Sequence, residues 1–443
     1  MRDIFVTLVV FGTLPFVLKR PQIGILLWGW LAYMNPHKLS WGFAHDFPFS
    51  QLTAIAIIAA LFVSKEARKI PWSAELTILV IFIAWMFLST VNSMFPALAW
   101  VQWDKVWKIQ LITFITIMVM QDKWRVQAMI WVIALSLGFY GFKGGIFTLM
   151  TGGAYAVYGP SGTFIYGNNE IGLALIMTIP LIRYLQLTTE NAMLRRGLLL
   201  TMWLCVIAVI GTQSRGALVG VSFMGLFLVL KSRNRLPMIL FMLVLLPMIY
   251  SFMPESWHLR MGTIETYEQD GSAMGRINAW WMAFNLAKVN ILGGGFECFQ
   301  TSTFFLYAPI AHNVHDAHSV YFEVLGEHGF FGLTLFLLLG FVSLRSCGKI
   351  IKEAKKSDET KWMSDLAAMI QVSLLGYAAS GAFLGLAYFD LYYHLIAIVV
   401  ICKGLLIQHE KNNLNSPNDS VLDGDEHKLK NNLDTDRRNR AGV

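Results

Sequence analysis

The chain has 443 residues, of which 56% are hydrophobic and only 14% charged, with a formal net charge of +7. A soluble domain carries about 25% charged residues, so the composition and a mean hydropathy of +0.53 exclude a water-soluble globular protein. The basic residues lie between apolar runs and are not gathered with aromatics on one surface, which excludes a nucleic-acid binder and leaves an all-α polytopic membrane protein.

In chain order, runs apolar enough to cross or nearly cross a hydrocarbon core of about 30 Å occur at 4–18, 22–34, 51–63, 75–91, 106–120, 127–150, 169–187, 197–212, 216–230, 236–252, 330–344, 365–386 and 390–407. The expectation is 12–13 transmembrane helices, because backbone polar groups in lipid must be satisfied within the segment. The first run lacks the basic start and small-residue cleavage site of a removable signal peptide, so it is expected to be retained. Assigning alternate connections to the cytoplasm places 18 Lys and Arg inside and 9 outside, the bias that sets orientation. It puts the long polar segment 253–329 on the outer face.

Five regions follow: N-terminal helices (1–150), central helices (151–252), the outer loop (253–329), C-terminal helices (330–408) and a disordered cytoplasmic tail (409–443), which has almost nothing apolar to bury. Of the four cysteines, Cys205 and Cys402 fall inside apolar runs and Cys347 just after one. Cys298 stands alone in the polar segment, so no intrachain disulfide is expected. Trp72, Trp85, Trp100 and Trp103 are expected as interface anchors, and Gly376, Ser380, Gly381 and Gly385 as small residues for close helix packing.

The outer loop holds the chemistry. In "GRINAWWMAFNLAKVN" (275–290), Ile277, Trp280, Trp281, Phe284 and Leu286 recur at helical spacing and predict a helix along the membrane surface. "ILGGGFECF" predicts a glycine turn that closely approaches another backbone. "HNVHDAHSVYFEVLGEHG" (312–329) predicts a helix capped by Asn313 or Asp316 that breaks at Gly329. His315 and His318, with His312, Asp316 or Glu323, could form a zinc-like set, but there is no His-x-x-x-His or Glu-x-x-His pair, and no metal or other cofactor is expected. A histidine in the first turn of a helix is held neutral by the positive end of the macrodipole and can accept a proton; His318 takes that position if Asp316 or Ala317 begins the helix. The alternative is a His318 that only caps or packs.

Arg215, in "GTQSRGALVG", interrupts two apolar runs, where a cation needs an anionic partner or must snorkel to headgroups. Arg276 begins the surface helix, and Arg260 precedes it. Guanidinium groups bind phosphate bidentately, so Arg215 and Arg276 beside His318 would suit a lipid-linked pyrophosphate.

Four segments between about Gly159 and Leu333 resemble the O-antigen ligase and polymerase superfamily: "GTFIYGNNEIGLALIMTIPL", "TQSRGALVG", "GRINAWWMAF…ILGGGFECF" and "AHSVYFEVLGEHGFFGL". "YMNPHKLSWGFAHDFPFS" resembles a subgroup described as O-glycosylation ligases of exosortase-type export systems. The resemblance implies a membrane glycosyltransferase of the C-type fold in the bacterial inner membrane, metal-independent and inverting, with its site facing the periplasm. Its donor would be a glycan on undecaprenyl pyrophosphate, and its acceptor a hydroxyl of a glycan, lipid or protein. By motif position, Arg215 and Arg276 would hold the pyrophosphate and His318 would activate the acceptor; His312 and His315 are not motif positions. Arg260 is expected as a further pyrophosphate contact, and Asn168, Asn169, Glu323 and His315 as supporting residues. Polymerase and ligase remain alternatives within this class. A transporter or flippase of the same lipid-linked glycan is the alternative outside it.

Overall fold

The computed structural model describes residues 1–64, 69–231, 235–262 and 271–415. The described chain is helical, without a β-strand, and the protein is an all-α polytopic membrane protein. The helices are α1 (Arg2–Lys19), α2 (Pro21–Met34), α3 (Phe49–Val63), α4 (Ala74–Val91), α5 (Pro96–Val119), α6 (Lys123–Met150), α7 (Asn168–Thr188), α8 (Ala192–Gly211), α9 (Arg215–Lys231), α10 (Arg235–Phe252), α11 (Glu255–Gly262), α12 (Gly271–Val289), α13 (Thr301–Tyr307), α14 (Val320–Glu353), α15 (Lys361–Gly381) and α16 (Asp390–Asn415).

Each expected apolar run falls on a helix, but six helices among the described residues are both long and apolar enough to cross a membrane by themselves: α4, α6, α7, α8, α14 with its short extension, and α16. The expected count of 12–13 is larger in part because α2, α3 and α9 are shorter than 18 residues and α5 carries Asp104, Lys105 and Lys108 near its middle. Helix α16 continues to Asn415, past the start expected for the tail at 409; the remainder of that expectation, residues 416–443, lies outside the described residues.

Local chemistry sets the helix ends. Pro21 and Pro96 open α2 and α5, where a missing N–H costs nothing. Asp122 caps α6 by accepting the Arg125 N–H at 2.9 Å, and Asn191 caps α8. Helices α7 and α16 are the interior ones, with 78% of each apolar window buried. Small residues let neighbours approach as expected: Gly376 of α15 lies against Ile176 of α7, Gly381 against Val320 of α14, and Gly220 of α9 against Ser380. Pro180 interrupts the hydrogen bonding of α7, and Ser373 of α15 donates to the Met177 carbonyl nearby at 2.5 Å. In α4, Glu75 is fully buried and meets Lys403 of α16 at 3.1 Å, with Ser346 donating to the same carboxylate.

Connections meet at two ends. Arg2 donates to the Leu39 carbonyl, Met94 N–H to Gly294 O, Asn168 to Thr212 O and Gln213 to Gly153 O. These contacts gather the connections after α2, α4, α6 and α8 with the loop after α12 at one end. The other end carries the contacts of Lys123 over Trp362, Lys231 with Gln371 and His409 with Glu359. The first is the end to which the charge bias assigns the outer face.

The break in α14 organises that end. Gly329 has φ 67° and ψ −174°, as its place at the expected break requires. A break strips the preceding carbonyls of their helical partners, and each orphan must find another donor. Gly294 N–H donates to Gly326 O at 2.8 Å, Gly295 N–H to Glu327 O at 2.9 Å, and Trp85 Nε1 to His328 O at 2.8 Å. Trp85, half-buried, directs its N–H to this carbonyl. The glycine turn does approach another backbone closely: a Cβ on Gly293, at φ +70°, would sit 2.6 Å from the Glu327 carbonyl carbon.

Candidate functional site

Helix α12 positions the loop. Its buried face is Gly275, Asn278, Ala279, Met282, Ala283, Leu286 and Ala287, packed on α13 and on the first turns of α14. Small residues, Met282 and Leu286 face inward, Trp280 and Phe284 are half-buried beside them, and Trp281 is exposed. A stripe of alanines gives a weak hydropathy signal yet permits the closest approach. Asn278 pins the descending chain, donating to Ile310 O at 2.9 Å and Asn313 O at 2.8 Å while accepting the Ile310 N–H. Trp280 stacks on Phe322 with centroids 4.8 Å apart and planes at 6°, and donates to Ala317 O at 2.8 Å. His318 lies between these two anchors.

The cap of α14 is Ser319, not Asn313 or Asp316. His318 therefore precedes the helix and does not sit in its first turn. Its backbone is left-handed (φ 41°), a conformation that costs a non-glycine residue about 1–3 kcal/mol and that the anchors on either side hold. Burial, with the nearby charges of Arg276 and His315, pulls the His318 pKa below the ordinary 6.5, against the opposing pull of Asp316. The lowering arises first from desolvation, with the Arg276 guanidinium adding to it. Its Nδ1 is enclosed without a hydrogen-bond partner.

Around His318 the structure brings several expected residues together. Arg276 lies one turn into α12, and its charge acts on both His318 and Glu170 of α7. The His315 ring lies against Gly275, where a Cβ would overlap it. Glu323 Oε2 accepts the Ala387 N–H at 3.2 Å. Asn168 Nδ2 donates at 2.9 Å to Thr212 O in the turn before Arg215, and Asn169 is half-buried beside it in the first turn of α7. Arg215 is the first residue of α9, and the next residue, Gly216, leaves no space for a Cβ against Phe383 of the 382–389 connection. That connection also supplies Ala387 to Glu323, so Arg215 and Glu323 flank the same short segment. Arg260 belongs to α11, and its side chain lies outside the described residues. His312 and Lys143 are exposed.

Three participants escaped the sequence. Glu327 accepts the Glu297 N–H at 2.8 Å through Oε1 and the Tyr388 hydroxyl at 2.5 Å through Oε2, tying the glycine turn and the 382–389 connection to α14. Tyr388 sits in a short connection between two apolar runs, where no pattern singles it out. Glu170 was visible only as an acidic residue after two asparagines. Burial and Asp316 push the Glu297 carboxyl upward, with Lys105 opposing. Among the described residues no group of three or more His, Cys, Asp and Glu is arranged to hold a metal ion.

Residues 200–337 match a family model described as O-antigen ligase, a range that includes Arg215, Arg276, His315, His318 and Glu323. Residues 1–190 match one described as a family of unknown function (DUF5935). No curated protein matches the chain. The match over 200–337 supports the O-antigen ligase superfamily and, in general, a ligase- or polymerase-type glycosyltransferase that uses a lipid-linked glycan donor and an acceptor in the membrane.

Proposed function

We propose that the protein transfers a glycan from undecaprenyl pyrophosphate to an acceptor hydroxyl, acting as a ligase at the periplasmic face of a bacterial inner membrane. The observation that supports this is the packing of the His315 ring against Gly275, which sets the His318 segment beside Arg276 on α12 where that helix packs on α14. Pyrophosphate is a good leaving group once cations meet the charge that develops on it, so no general acid is needed. Arg276 and Arg215 supply that charge, with Arg260 and the Asn168–Asn169 turn in support. His318, kept neutral, removes the proton of the attacking hydroxyl, a contribution typically worth about 10²–10⁴-fold. Attack at the anomeric carbon from the face opposite the pyrophosphate inverts its configuration and requires no metal.

The acceptor is proposed as a hydroxyl of an exported protein, lipid or glycan, in keeping with the resemblance of the 33–50 segment to O-glycosylation ligases. His318→Ala and Arg215→Ala, assayed at normal membrane abundance, are each expected to abolish transfer while labelled lipid-linked donor accumulates. Undiminished transfer in both rejects the function. Donor that crosses the membrane without forming a covalent glycoconjugate would instead identify a transporter.

A further inference from the structure

Two connections that hold the candidate site also border a narrow cleft that the transferase mechanism leaves unused. Tyr33 and Asn35 at the end of α2, Phe164 and Ile165 of the 151–167 connection, and Phe389 and Asp390 where the 382–389 connection meets α16 line it. The first connection is tied to the turn before Arg215: Val157 N–H donates to Gly211 O at 3.0 Å, Gln213 Nε2 to Gly153 O and Asn168 Nδ2 to Thr212 O, both at 2.9 Å. The second gives its Ala387 N–H to Glu323 and its Tyr388 hydroxyl to Glu327 immediately before Phe389 and Asp390 enter the cleft wall.

Two polar groups in that wall have hydrogen-bonding capacity to spare. Asp390 is only 8% exposed; its Oδ1 accepts the Leu391 N–H at 2.9 Å, and its Oδ2 meets no other side chain's donor among the described residues. Asn35 uses its Nδ2 on Ala32 O at 2.7 Å, and its Oδ1 accepts no hydrogen bond among the described residues. Both spare atoms are acceptors, so the complementary ligand offers donors, and a buried polar group without one is costly. Beside them the wall is aromatic: Phe164 lines the cleft yet is 44% exposed. Next along the same segment, the exposed rings of Tyr158 and Tyr166 lie 6.4 Å apart, held by the Gly159 N–H bond to Tyr166 O at 2.9 Å. Aromatics that only mark the headgroup level need no buried carboxyl and amide beside them. A few acceptors set in an aromatic and apolar wall suit a hydroxyl-bearing ring, whose hydroxyls donate while its C–H face lies on the aromatic.

We propose that this cleft is a sugar subsite for the glycan of the lipid-linked donor: a hydroxyl or hydroxymethyl group enters to meet Asp390 and Asn35, and its ring lies on Phe164 at the mouth. This rests on the transferase reading. With the pyrophosphate at Arg215, the sugars beyond it extend along the 151–167 segment, which the bonds above fasten to the Arg215 turn. The subsite holds the glycan and does not touch the reacting atoms, so its loss raises donor KM and leaves kcat.

The test uses the full-length protein in lipid nanodiscs and two readouts. The kinetic one is transfer from native lipid-linked glycan labelled with a radioactive sugar. The binding one is saturation-transfer NMR with the free oligosaccharide released from that donor by mild acid. Phe164→Ala removes the stacking face, and Asp390→Asn replaces the spare acceptor with a donor. Each is expected to raise donor KM about tenfold with kcat retained and to weaken the oligosaccharide signals, and Phe164→Tyr to restore both. Wild-type KM and wild-type oligosaccharide contacts in both variants overturn the subsite, as does a defect confined to kcat. Phe164 is partly exposed, so Phe164→Ala decides alone if Asp390→Asn fails to accumulate. His318→Ala separates the two claims. Full transfer there removes the transferase mechanism, while the oligosaccharide contacts still report on the cleft; dependence on His318 with unaltered donor KM in Phe164→Ala removes only the subsite.

Discussion

Glu327 accepts the hydroxyl proton of Tyr388 at 2.5 Å, joining two buried side chains 61 positions apart in sequence. The other oxygen of the same carboxylate holds the Glu297 N–H, so one side chain fastens the glycine turn and the 382–389 connection to the last turn before the α14 break. Tyr388→Phe keeps the ring contacts with Phe296 and His328 but removes this donor. An unsatisfied buried acceptor costs about 1–3 kcal/mol, so the detergent-solubilised variant is expected to unfold at lower temperature. Glu327→Leu combined with Tyr388→Phe should lose less than the sum of the single changes.

Gly293 and Gly152 both have positive φ, at +70° and +61°, but their surroundings differ. An alanine at Gly152 meets nothing within 4 Å and pays only for its left-handed backbone, about 1–2 kcal/mol. An alanine at Gly293 also drives a methyl group into the Glu327 backbone. Gly293→Ala is expected to accumulate poorly and to lose transfer, and Gly152→Ala to keep both. Membrane abundance and a transfer assay on the pair check this; equal behaviour would separate the glycine turn from the site.

The lowered pKa of His318 fixes the sign of a pH effect. Neutral imidazole is the active form, so transfer should persist as pH falls through the ordinary histidine value of 6.5 and decline only below it. Arg276 contributes to that lowering, so Arg276→Gln should move the histidine-dependent decline back to higher pH at saturating donor. A kcat–pH profile of the two proteins measures the displacement.

His37, in the connection after α2, is pushed down to about 4 by burial, with Lys38 and His45 adding to the effect and Asp46 opposing it. Its Nδ1 is enclosed without a partner, and the ring packs against Phe49. The unfolded chain takes up the proton at about 6.5 while the folded one does so only near 4, so folding stability is intact above 6.5 and declines as pH falls across that interval. His37→Gln should flatten the decline, as followed by thermal unfolding at a series of pH values.

Helix positions were legible in the sequence because lipid solvation forces long apolar runs into helices, and the Gly329 break was legible because a glycine there ended a pattern. Arg276, His315, His318 and Glu323 could be assigned to one segment because polar residues are scarce in such a chain. The cap of α14 was missed because Asn, Asp and Ser cap about equally well, so the sequence does not choose among Asn313, Asp316 and Ser319; the choice is made by Asn278 and Trp280, which fix the preceding backbone and delay the helix. The packing face of α12 was not singled out because hydropathy rewards tryptophan, whereas close packing on α14 demands alanine and glycine. Glu327 and Tyr388 gave no local signal, since each acquires its role only through a partner far along the chain.

The donors that rescue the α14 carbonyls come from Gly294 and Gly295, and from Trp85, all translated before α14 itself. During biogenesis the loop after α12 therefore waits, with its glycine turn unanchored, until the ribosome has delivered α14 and the translocon has released it. A nascent chain arrested before Val320 should present a protease-sensitive loop, and the same loop should become resistant once synthesis has passed Tyr388.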